Sequence, residues 1–196
     1  YGGEVIEYHI KNNPHFTEVM HWPSIHGRLK KNADVMVGGS DELYRYQYIE
    51  YEWIRLLIEN ARLNKNYTSG VLFWMYNDCW PALGFAMIDY YLTPKSGLYA
   101  MKHTCSPIAA AIRKKDEKLC FSVLNDSLYE GGVEVKLLSA DSEIGKVSEL
   151  YSGTAELKKN KNTELDFVIS SDIGDKTVIF ADVYKDGKRV SRARYY

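Results

Sequence analysis

Apolar residues recur at three- and four-residue steps from Asp41 to about Leu63: Leu43, Tyr46, Ile49, Trp53, Leu57 and Ala61. That period predicts one long helix with this stripe as its buried face. Ser40 stands where an N-cap belongs, and Asp41 and Glu42 suit the positive end of the helix dipole. After polar punctuation from Asn64 to Gly70, the run from Val71 to Tyr76 is apolar without alternation. Such a run is expected of a parallel strand covered on both faces. Pro94 is placed to open a second helix continuing through Leu98, Tyr99, Met101 and Lys102 to about Cys105. Helix, buried strand, polar loop and helix make a piece of an α/β sheet or barrel. One such strand cannot close a sheet by itself.

Past residue 107 the period changes. Leu119–Leu124, Val133–Leu137, Leu165–Ile169 and Val178–Val183 carry two-residue alternation, partial or clear. Turn signals separate them at Asn125-Asp126, Gly131-Gly132, Asp141, Asn160 to Asn162, Gly174-Asp175 and Asp186-Gly187. Further strands near 108–114, 147–157 and 189–195 bring the total to about seven, the pattern of an immunoglobulin-like β-sandwich without its Cys–Trp–Cys signature. Asp186-Gly187 fits a two-residue hairpin turn.

Composition reinforces the split. Of the 196 residues, the first 106 hold all four Trp, all five His, all five Met and eleven of the sixteen Tyr. The remainder holds none of the Trp, His or Met, and its 15 basic and 15 acidic residues cancel. Two domains are therefore expected, 1–106 and 107–196. A net charge of −1 excludes a nucleic-acid binder of the electrostatic kind. The longest apolar runs, about seven residues, are too short for a membrane-spanning helix. Cys79, Cys105 and Cys120 are odd in number and widely spaced, which indicates neither a disulfide framework nor a zinc site. Tyr1 opens the chain with no Met and no charged-then-apolar leader, so a trimmed terminus or a fragment is expected, with a cytoplasmic location.

The chemistry is concentrated in Gly70-Val-Leu-Phe-Trp-Met-Tyr-Asn-Asp-Cys-Trp-Pro-Ala82. A buried strand there would deliver Trp74, Asn77, Asp78 and Trp80 to its C-terminal end, where barrels and open α/β sheets bind ligands. An indole face beside an amide and a carboxylate suits a sugar, whose C–H face stacks while its hydroxyls take the polar groups. The competing reading makes Trp74 and Trp80 core anchors and Asn77-Asp78 an ordinary turn. His9, His15, His21 and His26 cluster within 18 residues but show no metal-ligand spacing, and Cys79 reads as a small packed residue. Asn66-Tyr-Thr68 and Asn125-Asp-Ser127 are glycosylation sequons, relevant only in a secreted chain.

This run resembles the end of the catalytic barrel of family 2 glycoside hydrolases, closest to the β-mannosidase branch. The family pattern G-x-L-x-W-Q-x-N-D-x-W-P, followed by I/L-D-Y, P-K and L-Y/H-Y-A-x-K, is matched at Gly70, Leu72, Trp74, Asn77, Asp78, Trp80, Pro81, Ile88, Asp89, Tyr90, Pro94, Lys95, Tyr99, Ala100 and Lys102. Upstream, Tyr44 to Arg62 looks like the last long barrel helix, and the family carries immunoglobulin-like domains downstream. Met75 departs from the usual Gln, and Gly84-Phe85-Ala86 from a serine- and tryptophan-rich segment, so β-galactosidase-like and β-glucuronidase-like relatives remain open. The resemblance implies the C-terminal portion of a (β/α)8 barrel followed by the sandwich, in a retaining exo-β-glycosidase. Trp74, Asn77, Asp78 and Trp80 would bind the sugar. No cofactor or metal is implied; the partners would be a carbohydrate substrate and the enzyme's remaining N-terminal domains, with no nucleic acid and no membrane.

Retention requires an acid/base and a nucleophilic carboxylate about 5–5.5 Å apart. The family's Asn-Glu acid/base pair does not occur in this sequence. Glu18, in Phe16-Thr-Glu18-Val19, is the one distant echo of the nucleophile's context, but Val-Met follows in place of Phe/Tyr-Gly. The alternative expectation is a nucleophile upstream of Tyr1, with Gly3 to Asn12 the helix just after it. These 196 residues alone are therefore expected to be inactive. The alternative function is a non-catalytic carbohydrate-binding or interaction module with the immunoglobulin-like sandwich as its working part, supported by the lack of a recognisable catalytic pair.

Overall fold

The computed structural model describes residues 4, 8, 11, 12, 42–79 and 86–196, which fall into two compact units. One contains the described residues up to Ile58 and Ser69–Lys102; the other contains Glu59–Thr68 and His103–Tyr196. Ser40, Glu18, Trp80 and the histidines at 9, 15, 21 and 26 lie outside the described residues, and the readings made on them stand untouched. Near the start, Glu4, Tyr8, Lys11 and Asn12 are helical, with the Asn12 amide donating to the Tyr8 carbonyl at 2.8 Å.

Helix α1 runs Glu42–Leu63 and α2 runs Ser96–Thr104. The expected buried stripe of α1 holds at Ile49 but fails at Trp53 and Leu57, which are about half exposed. The buried row is Ile49, Glu52, Arg55, Ile58 and Glu59 instead. Hydrophobicity alone hides this row, because charged side chains occupy it. Arg55 donates to Glu52 at 2.6 and 2.9 Å one turn away, so the buried charges meet as a pair. Pro94 does not begin α2. It forms an antiparallel bridge to Ile88, and the helix starts two residues later.

The expected strand over Val71–Tyr76 is also corrected. The segment makes no ladder; an isolated parallel bridge joins Asn77 to Ile88. Exposure alternates along it, with Leu72 at 100% and Trp74 at 84% while Val71, Phe73 and Met75 are partly covered. A strand exists only by pairing, and the described residues supply no neighbouring strand along 71–76.

The second unit is a two-sheet sandwich. Its strands are β1 (Ile108–Lys115), β2 (Lys118–Asn125), β3 (Gly131–Asp141), β4 (Val147–Leu157), β5 (Thr163–Ser170), β6 (Thr177–Lys185) and β7 (Lys188–Tyr195). They pair antiparallel in the orders β1-β2-β5 and β4-β3-β6-β7, an immunoglobulin-like arrangement with the fourth strand beside β3. All seven expected strands appear. Asp186 and Gly187 turn β6 into β7 with φ of 52° and 73°, the left-handed pair that a two-residue hairpin requires. Inward positions from both sheets interlock around Leu119, Phe121, Val135, Leu137, Ile179 and Val183. Each buried side chain of this size contributes roughly 1.5–3 kcal/mol. At the open edge of β1, the Ala110 N–H donates to Ser191 Oγ of β7 at 3.0 Å, joining the sheets.

Within this unit the last turn of α1 lies on the outer side of the β1-β2-β5 sheet. Leu63 packs against Ala109, Ala111 and Leu124. Around it, Asp126 receives Arg62 Nε at 2.7 Å and Lys65 Nζ at 2.5 Å. Lys65 also reaches the Asn125 carbonyl, and Arg62 donates to the Thr104 carbonyl. Burial alone would raise the Asp126 carboxyl, but Lys65 and Arg62 outweigh it and hold it below the usual carboxylate value. A depressed folded-state value means stability that is present above the unfolded value, about 3.9, and is lost as pH falls through the lower folded one. The Asp126→Asn variant is therefore expected to be less stable than the parent at pH 7, with the gap closing below about pH 4. Urea unfolding of both proteins between pH 7 and 2.5 checks this, and a gap independent of pH would contradict it.

Candidate functional site

Three short segments are laced together in the first unit. Tyr76 O accepts from the N–H groups of Met87 and Ile88 at 3.1 and 3.0 Å, and Asp78 N–H donates to Ile88 O at 2.9 Å. On the other side, Lys95 N–H donates to Met87 O at 2.9 Å and Asp89 N–H to Thr93 O at 3.0 Å. Between Ile88 and Pro94 the chain reverses through Asp89, whose carboxylate accepts from Thr93 N–H at 2.8 Å. Ala86 and Met87, in the middle segment, are buried. The lacing gives the polar end of the Gly70–Asp78 run a fixed backbone although the run itself is not a ladder strand.

Side chains on this frame separate into two groups. Trp74, Tyr76 and Asn77 are exposed, and the Asn77 amide donates to its neighbour's carbonyl at 3.3 Å. Tyr90 and Tyr91 stand nearby in sequence, in edge-to-face contact at 5.2 Å. Asp78 behaves differently. Its side chain is 2% exposed and takes Lys95 Nζ at 2.7 Å. The exposed face thus offers an indole and an amide, the groups that stack on a pyranose ring and take its hydroxyls. The Asp78 carboxylate is occupied beneath. Lys95, the residue that meets it, stands in the Pro-Lys pair before α2, and that pair is the sequence signal for it.

Glu50 sits at the contact between α1 and α2. Burial pushes its carboxyl up, opposed by the Ser96 hydroxyl, 2.5 Å from Oε2, and by the Lys95 charge. Gly97 faces the same place. A Cβ there would lie 2.9 Å from Met87 Sδ and 3.4 Å from Ile54 Cγ1, so the helices approach where a side chain is absent. Cys79 is exposed, against the expectation of a packed residue, because the neighbouring Asp78 takes the inward position. No group of three His, Cys, Asp or Glu suited to a metal occurs among the described residues. No helix among them is long and apolar enough to cross a membrane.

Of the two sequons, Asn66 lies in an exposed turn whereas Asn125 is fully buried at the end of β2. The sandwich aromatics do not form an exposed platform. Phe121 is in the core, Tyr129, Tyr151, Phe167 and Tyr195 pack against it, and Phe180 lies under the Arg192 guanidinium at 4.6 Å. Tyr196, at the end of the chain, is 45% exposed.

No family model matches the chain. Similarity to individual proteins is nevertheless extensive. β-Mannosidase B of Aspergillus terreus is 29% identical over 96% of this chain and 24% of its own length. β-Mannosidase B of Emericella nidulans is 28% identical over 66% of the chain and 17% of its own length. The crystal structure of a β-D-mannosidase from Dictyoglomus thermophilum superposes on 87% of the chain with a TM-score of 0.77 at 24% identity, covering 22% of that protein. An exo-chitosanase from Amycolatopsis orientalis superposes on 78% with a TM-score of 0.62, covering 19% of that protein. The chain thus spans about a quarter or less of the length of these relatives.

Proposed function

Because this chain is β-mannosidase-like over nearly its whole length, and so carries the resemblance to family 2 glycoside hydrolases expected from its motif, we propose that it forms the C-terminal part of a retaining exo-β-glycosidase acting on terminal β-linked mannose. Residues 1–106 belong to the end of a (β/α)8 catalytic barrel, and 107–196 form the immunoglobulin-like domain that follows it in sequence. The observation that carries this reading is the exposed pair of Trp74 and Asn77 on a frame anchored by buried Asp78. Trp74 is 84% exposed within these residues, on the same side of the run as Leu72. The unladdered run from Val71 to Tyr76, with apolar side chains alternating outward, fits a barrel strand whose neighbours come from elsewhere in the enzyme.

In the complete site the indole of Trp74 stacks on the C–H face of the terminal sugar, and Asn77 and Trp80 orient it. The orientation lets a carboxylic acid protonate the leaving oxygen while a carboxylate attacks the anomeric carbon. The acid/base belongs to the rest of the enzyme, and the nucleophile is either supplied there too or is Glu18, the weak candidate within this chain. The test is the anomeric configuration of the first-formed sugar when the complete polypeptide cleaves an aryl β-mannoside in an NMR tube. Release of β-mannose ahead of mutarotation supports the reading. Release of α-mannose contradicts the retaining mechanism, and cleavage confined to β-galactosides or β-glucuronides contradicts the substrate.

A further inference from the structure

We infer that Lys95 is a positioning residue for the sugar-binding face: its ammonium, held by the buried Asp78 carboxylate, pins the end of the Trp74–Asp78 segment to the start of α2 and so sets how the indole and the Asn77 amide meet the ligand. The inference rests on the glycosidase reading above and changes the part played by Asp78. A carboxylate whose side chain is 2% exposed and lies 2.7 Å from Lys95 Nζ is already engaged and does not present itself to a sugar arriving at the surface.

The geometry of the lacing explains why this pair matters. Asp78 and Lys95 stand on the two outer segments, and each is hydrogen-bonded through its backbone to the middle one, Asp78 N–H to Ile88 O and Lys95 N–H to Met87 O. Their side chains close a bridge between those outer segments. Lys95 also adjoins Ser96, whose hydroxyl meets Glu50 of α1, so the pinned end is tied to α1 and α2. Upstream, Val71 to Trp74 has no ladder to hold it, and Met75 O accepts from Met87 N–H at 3.2 Å. The position of Trp74 is therefore governed by the anchored residues that follow it. Asn77 adjoins Asp78 directly, and its amide donates to the Asp78 carbonyl at 3.3 Å. Removing the Lys95 charge leaves a buried carboxylate without its partner, and the favourable response is for Asp78 to turn toward water, carrying Asn77 with it.

The experiment uses the complete polypeptide carrying Lys95→Met, Lys95→Arg, or Lys95→Met with Asp78→Asn. Hydrogen exchange at the Asp78 and Lys95 amides, the melting temperature, and kcat and KM on an aryl β-mannoside are read for each. Lys95→Met is expected to speed exchange at both amides and to lower kcat/KM at least about tenfold. Lys95→Arg should keep the pair and stay within about threefold of the parent. The double variant, relieved of the buried charge, should regain most of the melting temperature while kcat/KM stays low. A purely structural pair would not separate those two readouts. Unchanged exchange in Lys95→Met, or full activity in the double variant, would overturn the positioning role. Altered exchange in a protein whose parent cleaves no β-glycoside would overturn the glycosidase reading while leaving the pinning itself supported.

Discussion

Trp74→Ala in the complete polypeptide is expected to lower kcat/KM on an aryl β-mannoside about a hundredfold, equivalent to about 2.7 kcal/mol of transition-state stabilisation. The fold should stay intact. The size follows from two losses. Stacking on the sugar's C–H face disappears, and the ring that fixes the sugar's height against the catalytic carboxylates goes with it. The stability side applies to these 196 residues, where Trp74 is 84% exposed and its removal leaves no cavity. Substitutions at such positions usually fall within about 0.5 kcal/mol. A core tryptophan would show the reverse pattern, a large loss of stability with activity lost only through unfolding. Steady-state kinetics and a urea melt on the same preparation distinguish the two. Activity equal to the parent would refute the stacking role.

The largest effect on stability is expected at Asn125. Its side chain is fully buried and donates to the carbonyls of Tyr129 at 2.9 Å and Lys158 at 2.8 Å. Its oxygen accepts from Ser127 N–H at 3.0 Å and Ser127 Oγ at 2.6 Å. One amide thereby ties the end of β2 to the loop before β3 and to the turn after β4. Asn125→Ala removes four part-buried hydrogen bonds, each worth about 0.5–1.5 kcal/mol net, and empties a fully buried side-chain site. A total of about 3–5 kcal/mol is a large share of the stability of a single domain. Urea unfolding should show the midpoint moving down with the slope unchanged; a shift corresponding to less than about 1 kcal/mol would contradict the count of bonds. The same four bonds make Asn125 unavailable as a glycan acceptor in the folded protein, so its sequon marks a turn.

The sandwich was legible because its information is local. Alternation every two residues and turn chemistry such as Asp186-Gly187 specify strands and hairpins directly, and all seven strands fall where the pattern places them. The face of α1 was not legible, since Glu52, Arg55 and Glu59 occupy buried positions that a hydrophobic stripe cannot reveal. The run from Val71 to Tyr76 failed for a different reason. Composition gives a segment the capacity to be a strand, while the ladder comes from partners that the sequence of the segment does not contain. At the candidate site, Trp74 and Asn77 are exposed. The part played by Asp78 could not be read there, because its partner Lys95 is 17 residues away and only folding brings the charges together.

The central claim is that these residues supply the sugar-facing end of a β-glycosidase barrel whose acid/base lies elsewhere in the enzyme. Hydrolysis of 4-nitrophenyl β-D-mannopyranoside, measured side by side for residues 1–196 alone and for the complete polypeptide, tests it most directly. The account predicts turnover by the complete polypeptide and none by the isolated residues, because a retaining glycosidase missing one of its two carboxylates keeps little beyond binding. Robust turnover by the 196 residues alone, abolished by Glu18→Gln, would contradict it, as would a complete polypeptide that releases no sugar from any β-glycoside.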